Sequence, residues 1–156
     1  MVGRRIFGMG VDIVRVPRIE RIIQTYGDRF LHRAYHPVER AAFAARAVAG
    51  TGSHSVDSGN THSVSQRQVE YLASRWAVKE ACHKALSRRR FLFPELYVSG
   101  DAMGDMISPH LCFSGELQKI MAAENIVSSH VSISHDGEYT VATVILETTD
   151  ACGTGP

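Results

Sequence analysis

The sequence is short of cysteine, of net charge and of long hydrophobic runs, and each shortage narrows what it can be. Cys82, Cys112 and Cys152 are an odd number without metal-site spacing. No disulfide framework is expected, and a reducing compartment is, the cytoplasm or else an organelle matrix such as the mitochondrion. The sequence has no HExxH, CxxC or GxxxxGK[ST] pattern, and Gly8-Met9-Gly10 is not followed by a third glycine before a helix. Those absences argue against a zinc site, a P-loop and a dinucleotide fingerprint. A formal net charge of +1 excludes an all-over nucleic-acid-binding surface and leaves room only for a local basic patch. No apolar run approaches membrane-spanning length. Met1-Val2-Gly3-Arg4-Arg5 leads almost directly into a strand-like segment, so a secretory signal is not expected either.

What is present is enough for one domain. A chain of 156 residues that is 44% hydrophobic can bury a real core. Ile6 to Val14 alternates Phe7, Met9, Val11 and Ile13 against Gly8, Gly10 and Asp12, the pattern of a strand. Its second face, two glycines and a carboxylate, lets another backbone or a ligand come close to Asp12. A helix is predicted from Pro17 to Gly27 and another from Pro37 to about Ala47. Residues 49–65, rich in Ser, Gly, Thr and His, read as a flexible insert. A long helix follows, starting near Gln66 and ending by Arg90. Leu96-Tyr97-Val98 and His110 to Phe113 are short strands, and Ser114 can cap a helix from Glu116 to about Ala123. His130 to His135 and Glu138 to Leu146 are β-rich runs joined at Asp136-Gly137, a strong hairpin signal. The expected class is α+β, a single domain over residues 1–148 with a disordered tail at 149–156.

The long helix has a fault in it. Val69, Leu72, Ala73, Trp76 and Ala77 form one apolar stripe, and carried forward the stripe meets Glu80, Ala81 and Lys84. Glu70, Arg75 and Lys79 fall off the stripe, where solvent is expected. Glu80 and Lys84 therefore point inward or into a cleft, and a buried charge needs a partner, a metal or a ligand. Asp12, Glu80 with Lys84, and His135 stand out. Two carboxylates suit Mg²⁺, and a lysine one turn away can lie against the same anion. The simpler readings are a surface ion pair for Glu80 and Lys84, a cap for Asp12 and a turn residue for His135.

Taken together these segments resemble the holo-[acyl-carrier-protein] synthases, the small 4′-phosphopantetheinyl transferases. The resemblance rests on three motifs in order: Gly8-Met9-Gly10-Val11-Asp12-Ile13, Trp76-Ala77-Val78-Lys79-Glu80-Ala81-Cys82-His83-Lys84-Ala85, and His130-Val131-Ser132-Ile133-Ser134-His135. It implies that family's fold, a small antiparallel sheet packed against a long central helix. It also implies Mg²⁺-dependent transfer of phosphopantetheine from coenzyme A to a serine of apo acyl carrier protein. By the same resemblance Asp12 and Glu80 hold the metal, Glu80 and Lys84 are catalytic, and Arg75, Lys84 and His135 contact coenzyme A. Arg15, Arg18 and Arg21, a basic ridge beside Asp12, would receive the acidic carrier. A homotrimer is implied, with active sites at subunit boundaries and Asp12 and Glu80 able to come from neighbouring chains.

Two departures stand against that pattern. The family commonly has a Gly-Thr-Gly-like segment after the central helix, where this chain has Ser87-Arg88-Arg89-Arg90, and arginines can make phosphate contacts themselves. The insert at 49–65 replaces a short turn. Rival readings are a coenzyme A-binding protein without transferase activity, a Mg²⁺-dependent hydrolase of nucleotide pyrophosphates, and a nucleic-acid-binding module.

Overall fold

β1 (Arg4–Arg15) is followed by α1 (Val16–Ala34), α2 (Pro37–Val48), α3 (Gln66–Ala85), β2 (Leu96–Ser99), β3 (His110–Phe113), α4 (Gly115–Ala123), β4 (Ile126–Asp136) and β5 (Tyr139–Thr149). This computed structural model describes residues 3–48, 64–87, 89–100 and 108–149. The strands β1, β5 and β4 form one antiparallel sheet in that order, and β2 with β3 forms a second ladder. Mixed helices and antiparallel strands make the expected α+β class.

Register decides what each face of the larger sheet does. Gly8, Gly10, Asp12 and Val14 pair with Leu146, Val144, Ala142 and Thr140, and the last two of those stand opposite Ile133 and His135 of β4. Ala142, Val144 and Leu146 are fully buried on this inner face, where α3 packs across it. Gly8 and Gly10 make the packing possible. A methyl at either would overlap the backbone carbonyl of Ala85 or Ala81. The other backbone anticipated beside the two glycines is therefore the long helix itself. The outer face carries Met9, Val11 and Ile13 in the open, Met9 at 62% and Ile13 at 61% exposure.

Helix α3 is buried on nearly every side, because the sheet lies on one flank and α1, α2 and β2 on others. Leu72, Ala73, Ala77 and Ala81 follow the predicted stripe, but Val78, Cys82, Arg75 and Lys79 are buried too. The expectation that Arg75 and Lys79 face solvent is thus corrected. A 3.6-residue period marks the most apolar flank and cannot show that the polar flank is also covered.

Several boundaries differ from those read in the sequence. α1 does not stop at Gly27. It kinks there, with φ 50° and ψ −134°, a conformation open to glycine, and continues to bury Leu31 and Ala34. α3 ends at Ala85, within the Arg90 limit read from the sequence, and Ser87 at φ 46° lies outside the helical region. Ser65 caps α3 and is not part of a flexible insert. Its side chain and that of Gln68 make a reciprocal capping box, which satisfies two helix-end N–H groups. Val64, also read as part of the insert, is half-buried against the core, and residues 49–63 lie outside the described residues. The hairpin turn sits one residue later than Asp-Gly. Asp136 pairs with Tyr139, so Gly137 takes the first central position at φ 53°, as a type II′ turn requires. β5 runs to Thr149, which pairs with Arg4, and buried Thr148 donates to the Glu124 and Asn125 carbonyls at 2.9 Å, so the strand continues past Leu146 and takes Thr149 from the expected tail. Residues 150–156 lie outside the described residues. Among those described, no helix is long and apolar enough to cross a membrane.

Candidate active site

The close approach at Gly8 and Gly10 brings α3 alongside the next inner-face residue of β1, Asp12. Lys84 reaches across from the last turn of α3 and places Nζ 2.7 Å from Asp12 Oδ1. The same ammonium donates to the Val11 carbonyl at 2.8 Å. The Lys84 side chain is 51% exposed and that of Asp12 only 16%, so the carboxylate is the recessed partner and the lysine covers it. Lys84 does not point inward, as the stripe suggested; it lies over the edge of the sheet.

Glu80 stands one turn earlier on α3. It is half-buried and lines a groove of about 520 Å³ with His83, Phe91, Leu92 and Phe93. No hydrogen bond or ion pair to Glu80 is formed among the described residues. The cleft reading of Glu80 is therefore the one that stands. Asp12, Lys84 and Glu80 occupy one end of α3, where Lys84 ties the strand to the helix.

The donor set bears on which metal it suits. No group of three or more His, Cys, Asp or Glu side chains among the described residues could cage an ion, which weighs against a zinc or calcium cage. Mg²⁺ needs less from the protein, one or two carboxylates with the remaining positions left to water and phosphate. Asp12 and Glu80 are of that kind, hard oxygen donors beside a cation that can lie against phosphate.

A second pocket, of about 240 Å³, is lined by Arg46, Arg67, Tyr71, Ser74, Arg75 and His135, with Glu70 at its side. Arg75, 4% exposed, donates to Ser74 Oγ at 2.9 Å. The Arg46 and Arg75 guanidiniums lie 3.9 and 4.3 Å from the centre of the Tyr71 ring, a cation–π arrangement that holds two arginines at one place. Burial lowers the Arg75 pKa and raises that of Tyr71. His135 is the penultimate residue of β4, and its Nδ1 lies 2.9 Å from Thr140 Oγ1, which leaves Nε2 for another partner. Three guanidiniums and an imidazole around one small pocket suit phosphate, which arginine meets with paired donors.

The structure thus brings Asp12 to Lys84 and Arg75 to His135, in two places. Arg15 does not join the basic ridge of α1, because it ends β1 and pairs with Glu138 at 3.0 Å. Arg18 and Arg21 remain as exposed neighbours on α1. Sequence reasoning missed Arg46 and Arg67, which no motif marks, and it missed a buried pair. Lys79 and Glu39, each 1% exposed at the side chain, meet at 2.8 Å. The only sign of the pair was Lys79 itself, inside the central motif without a role.

The family model described as the 4′-phosphopantetheinyl transferase superfamily matches residues 8–144. The holo-[acyl-carrier-protein] synthase of Enterobacter sp. is 35% identical over 145 residues, 91% of this chain and 98% of the relative. The crystal structure of the Neisseria meningitidis holo-[acyl-carrier-protein] synthase superposes with a TM-score of 0.70 at 28% identity, covering 91% of this chain and 98% of that one. The Helicobacter pylori enzyme, solved in complex with coenzyme A, gives a TM-score of 0.64 at 26% identity over 88% of this chain and 98% of its own. With its glycine-lined strand, its central helix and its carboxylate–lysine edge, the chain belongs to the 4′-phosphopantetheinyl transferase superfamily, among the holo-[acyl-carrier-protein] synthases.

Proposed function

We propose that the protein moves the 4′-phosphopantetheine of coenzyme A onto a serine of apo acyl carrier protein, releases adenosine 3′,5′-bisphosphate and depends on Mg²⁺. The observation that carries this reading is the edge at which Lys84 meets Asp12 at 2.7 Å, one helical turn from a half-buried Glu80 without a partner among the described residues. Asp12 and Glu80 would hold the metal ion, which when bound supplies charge neutralisation on the pyrophosphate. Lys84 neutralises phosphate from the same edge, and its exposed ammonium has room to leave Asp12 for the donor. The serine oxygen attacks the β-phosphorus, the bond from that phosphorus to the bridging oxygen breaks, and the bisphosphate leaves with the bridging oxygen. The serine proton passes to Glu80 or to a water beside it. Positioning and electrostatics carry most of such a reaction.

Arg46, Arg67, Arg75 and His135 take the phosphorylated nucleotide end of coenzyme A. Arg75 and Glu80 are five residues apart, about 140° around a helix of 3.6 residues per turn. One chain therefore turns its arginine pocket and its carboxylate edge in different directions. A homotrimer packed through the open face of β1 answers that separation, with the arginine pocket of one chain serving the carboxylate edge of its neighbour. Exposed Met9, Val11 and Ile13 supply the apolar contact. Arg18 and Arg21 receive the acidic surface of the carrier protein, with Arg15 held back by Glu138. A reducing compartment, the cytoplasm or an organelle matrix, suits the free thiols of Cys82 and Cys112.

Intact mass of apo acyl carrier protein after incubation with the protein, coenzyme A and Mg²⁺ tests the reading. A gain of one phosphopantetheine is expected, absent with EDTA and reduced at least about 10³-fold in rate by Glu80→Ala. No gain with any of several carrier proteins, in a sample that binds coenzyme A, would favour a binding protein without transfer.

A further inference from the structure

We propose that Lys79 is a positioning residue for the donor site, holding the apolar wall of the Glu80 groove against α3 through Glu39 and two backbone carbonyls. The inference rests on the transferase reading and assigns a role to the one charged residue of the central motif that the reaction leaves unused.

The ammonium of Lys79 is fully buried. Removing such a charge from water costs several kcal/mol, and an apolar chain of similar length would fill the space without that cost. What the ammonium adds is three donors, and all three are engaged. Nζ lies 2.8 Å from Glu39 Oε2, donates to the Phe93 carbonyl at 2.9 Å, and donates to the Leu96 carbonyl. One atom therefore joins α2, α3 and the segment that enters β2.

That segment is the groove wall. Phe93 accepts from Lys79 with its carbonyl and is among the residues that line the Glu80 groove, and its ring sits edge-on to Trp76 with centroids 5.1 Å apart. Glu95, between the two carbonyls that Lys79 holds, accepts from the N–H groups of Leu92, Glu116 and Leu117. The segment is thus tied to α3 on one side and to the start of α4 on the other. Lys79 also precedes Glu80 in the chain, so a helix rotation or wall displacement allowed by its loss would be felt at the carboxylate. The pair is not tuned for stability alone. Glu39 Oε1 is buried with no hydrogen-bond partner among the described residues, while Oε2 also takes the His36 N–H at 3.1 Å.

Three variants of the assembled protein separate positioning from packing. Each is measured for thermal midpoint, coenzyme A affinity by calorimetry, and KM for both substrates. Lys79→Met leaves Glu39 buried alone and is expected to lose stability and coenzyme A affinity together. The double variant Lys79→Met with Glu39→Leu removes both charges, so its midpoint should return towards that of the wild type. The Phe93 and Leu96 carbonyls still lack the ammonium, and coenzyme A affinity should stay about tenfold weaker, with KM for the carrier protein unchanged. Glu39→Gln keeps Lys79 on both carbonyls; it should lose stability and keep coenzyme A affinity within about twofold. A double variant with native midpoint and native coenzyme A affinity would reduce Lys79 to a packing residue. If the double variant does not fold, a Glu39→Gln that weakens coenzyme A as much as Lys79→Met would reduce it in the same way. A wild type that binds coenzyme A without transferring it defeats the transferase reading alone, and the affinities still decide the role of Lys79. A wild type that binds no coenzyme A ends both.

Discussion

Arg46 and Arg75 share the ring of Tyr71 from different helices, so the arginine pocket depends on single side chains that no local motif announces. Removing one guanidinium from three should weaken the grip on a phosphate without touching the carboxylate edge. Arg46→Ala is expected to raise KM for coenzyme A about tenfold and leave kcat within about threefold, a charged hydrogen bond being worth about 1.5–3 kcal/mol. Equal losses in both parameters would mean that the pocket acts on the chemical step. A pH effect belongs to His36, which stacks on Tyr97 with centroids 4.2 Å apart and takes the Val38 N–H on Nδ1. Burial, the largest influence on it, holds its pKa below the ordinary histidine value. The unfolded chain therefore takes up this proton first. The stability contribution is whole above about pH 6.5 and is lost as the pH falls towards the lowered folded value. Replacing His36 by Gln should flatten the drop in thermal midpoint between about pH 7 and about pH 5, and an unchanged slope would clear His36 of any part in it. At this scale the sequence was legible where residue type and motif agreed. Asp12, Glu80 and Lys84 could be named, whereas Arg46 and Arg67 acquire meaning only through neighbours brought by the fold.

Among the elements, β1 against α3 is the contact on which the site depends, and glycine sets its spacing. Gly10→Ala would push a methyl into the Ala81 carbonyl, where backbone on both sides has little room to yield. A destabilisation of about 3 kcal/mol or more is expected, read from denaturant unfolding, together with loss of transfer. A variant that unfolds like the wild type would show that the helix can slide away at little cost. The strand, its alternation and the hairpin could all be read in advance because each is a local pattern of period two. Lys79 could not. Its place is explained by Glu39, forty residues earlier, and by two carbonyls after the helix, and periodicity holds no record of partners that far off. Gly27 misled for the opposite reason: a glycine that ends many helices here only bends one, since Leu31 and Ala34 beyond it have a core to enter. The Ser65–Gln68 capping box was legible in principle and was hidden by the serine-rich text around it.

For the whole molecule, the sheet has one face on α3 and one in the open. Ile13→Glu places a charge on the open face without disturbing the buried one. If the proposed trimer forms through this face, light scattering should show the variant as a monomer, with the thermal midpoint lowered and transfer lost. A charged variant that still assembles and still transfers would move the interface elsewhere. Because side chains alternate along β1, the residue on either side of Asp12 belongs to the outer surface: Val11 before it and Ile13 after it. The carboxylate that would hold the metal and the surface that would hold the neighbour are therefore interleaved along a single run of backbone. On the proposed assembly, catalytic competence becomes a property of concentration. Diluted below its assembly constant, the protein should lose specific activity steeply and regain it on reconcentration, with no change in any one chain.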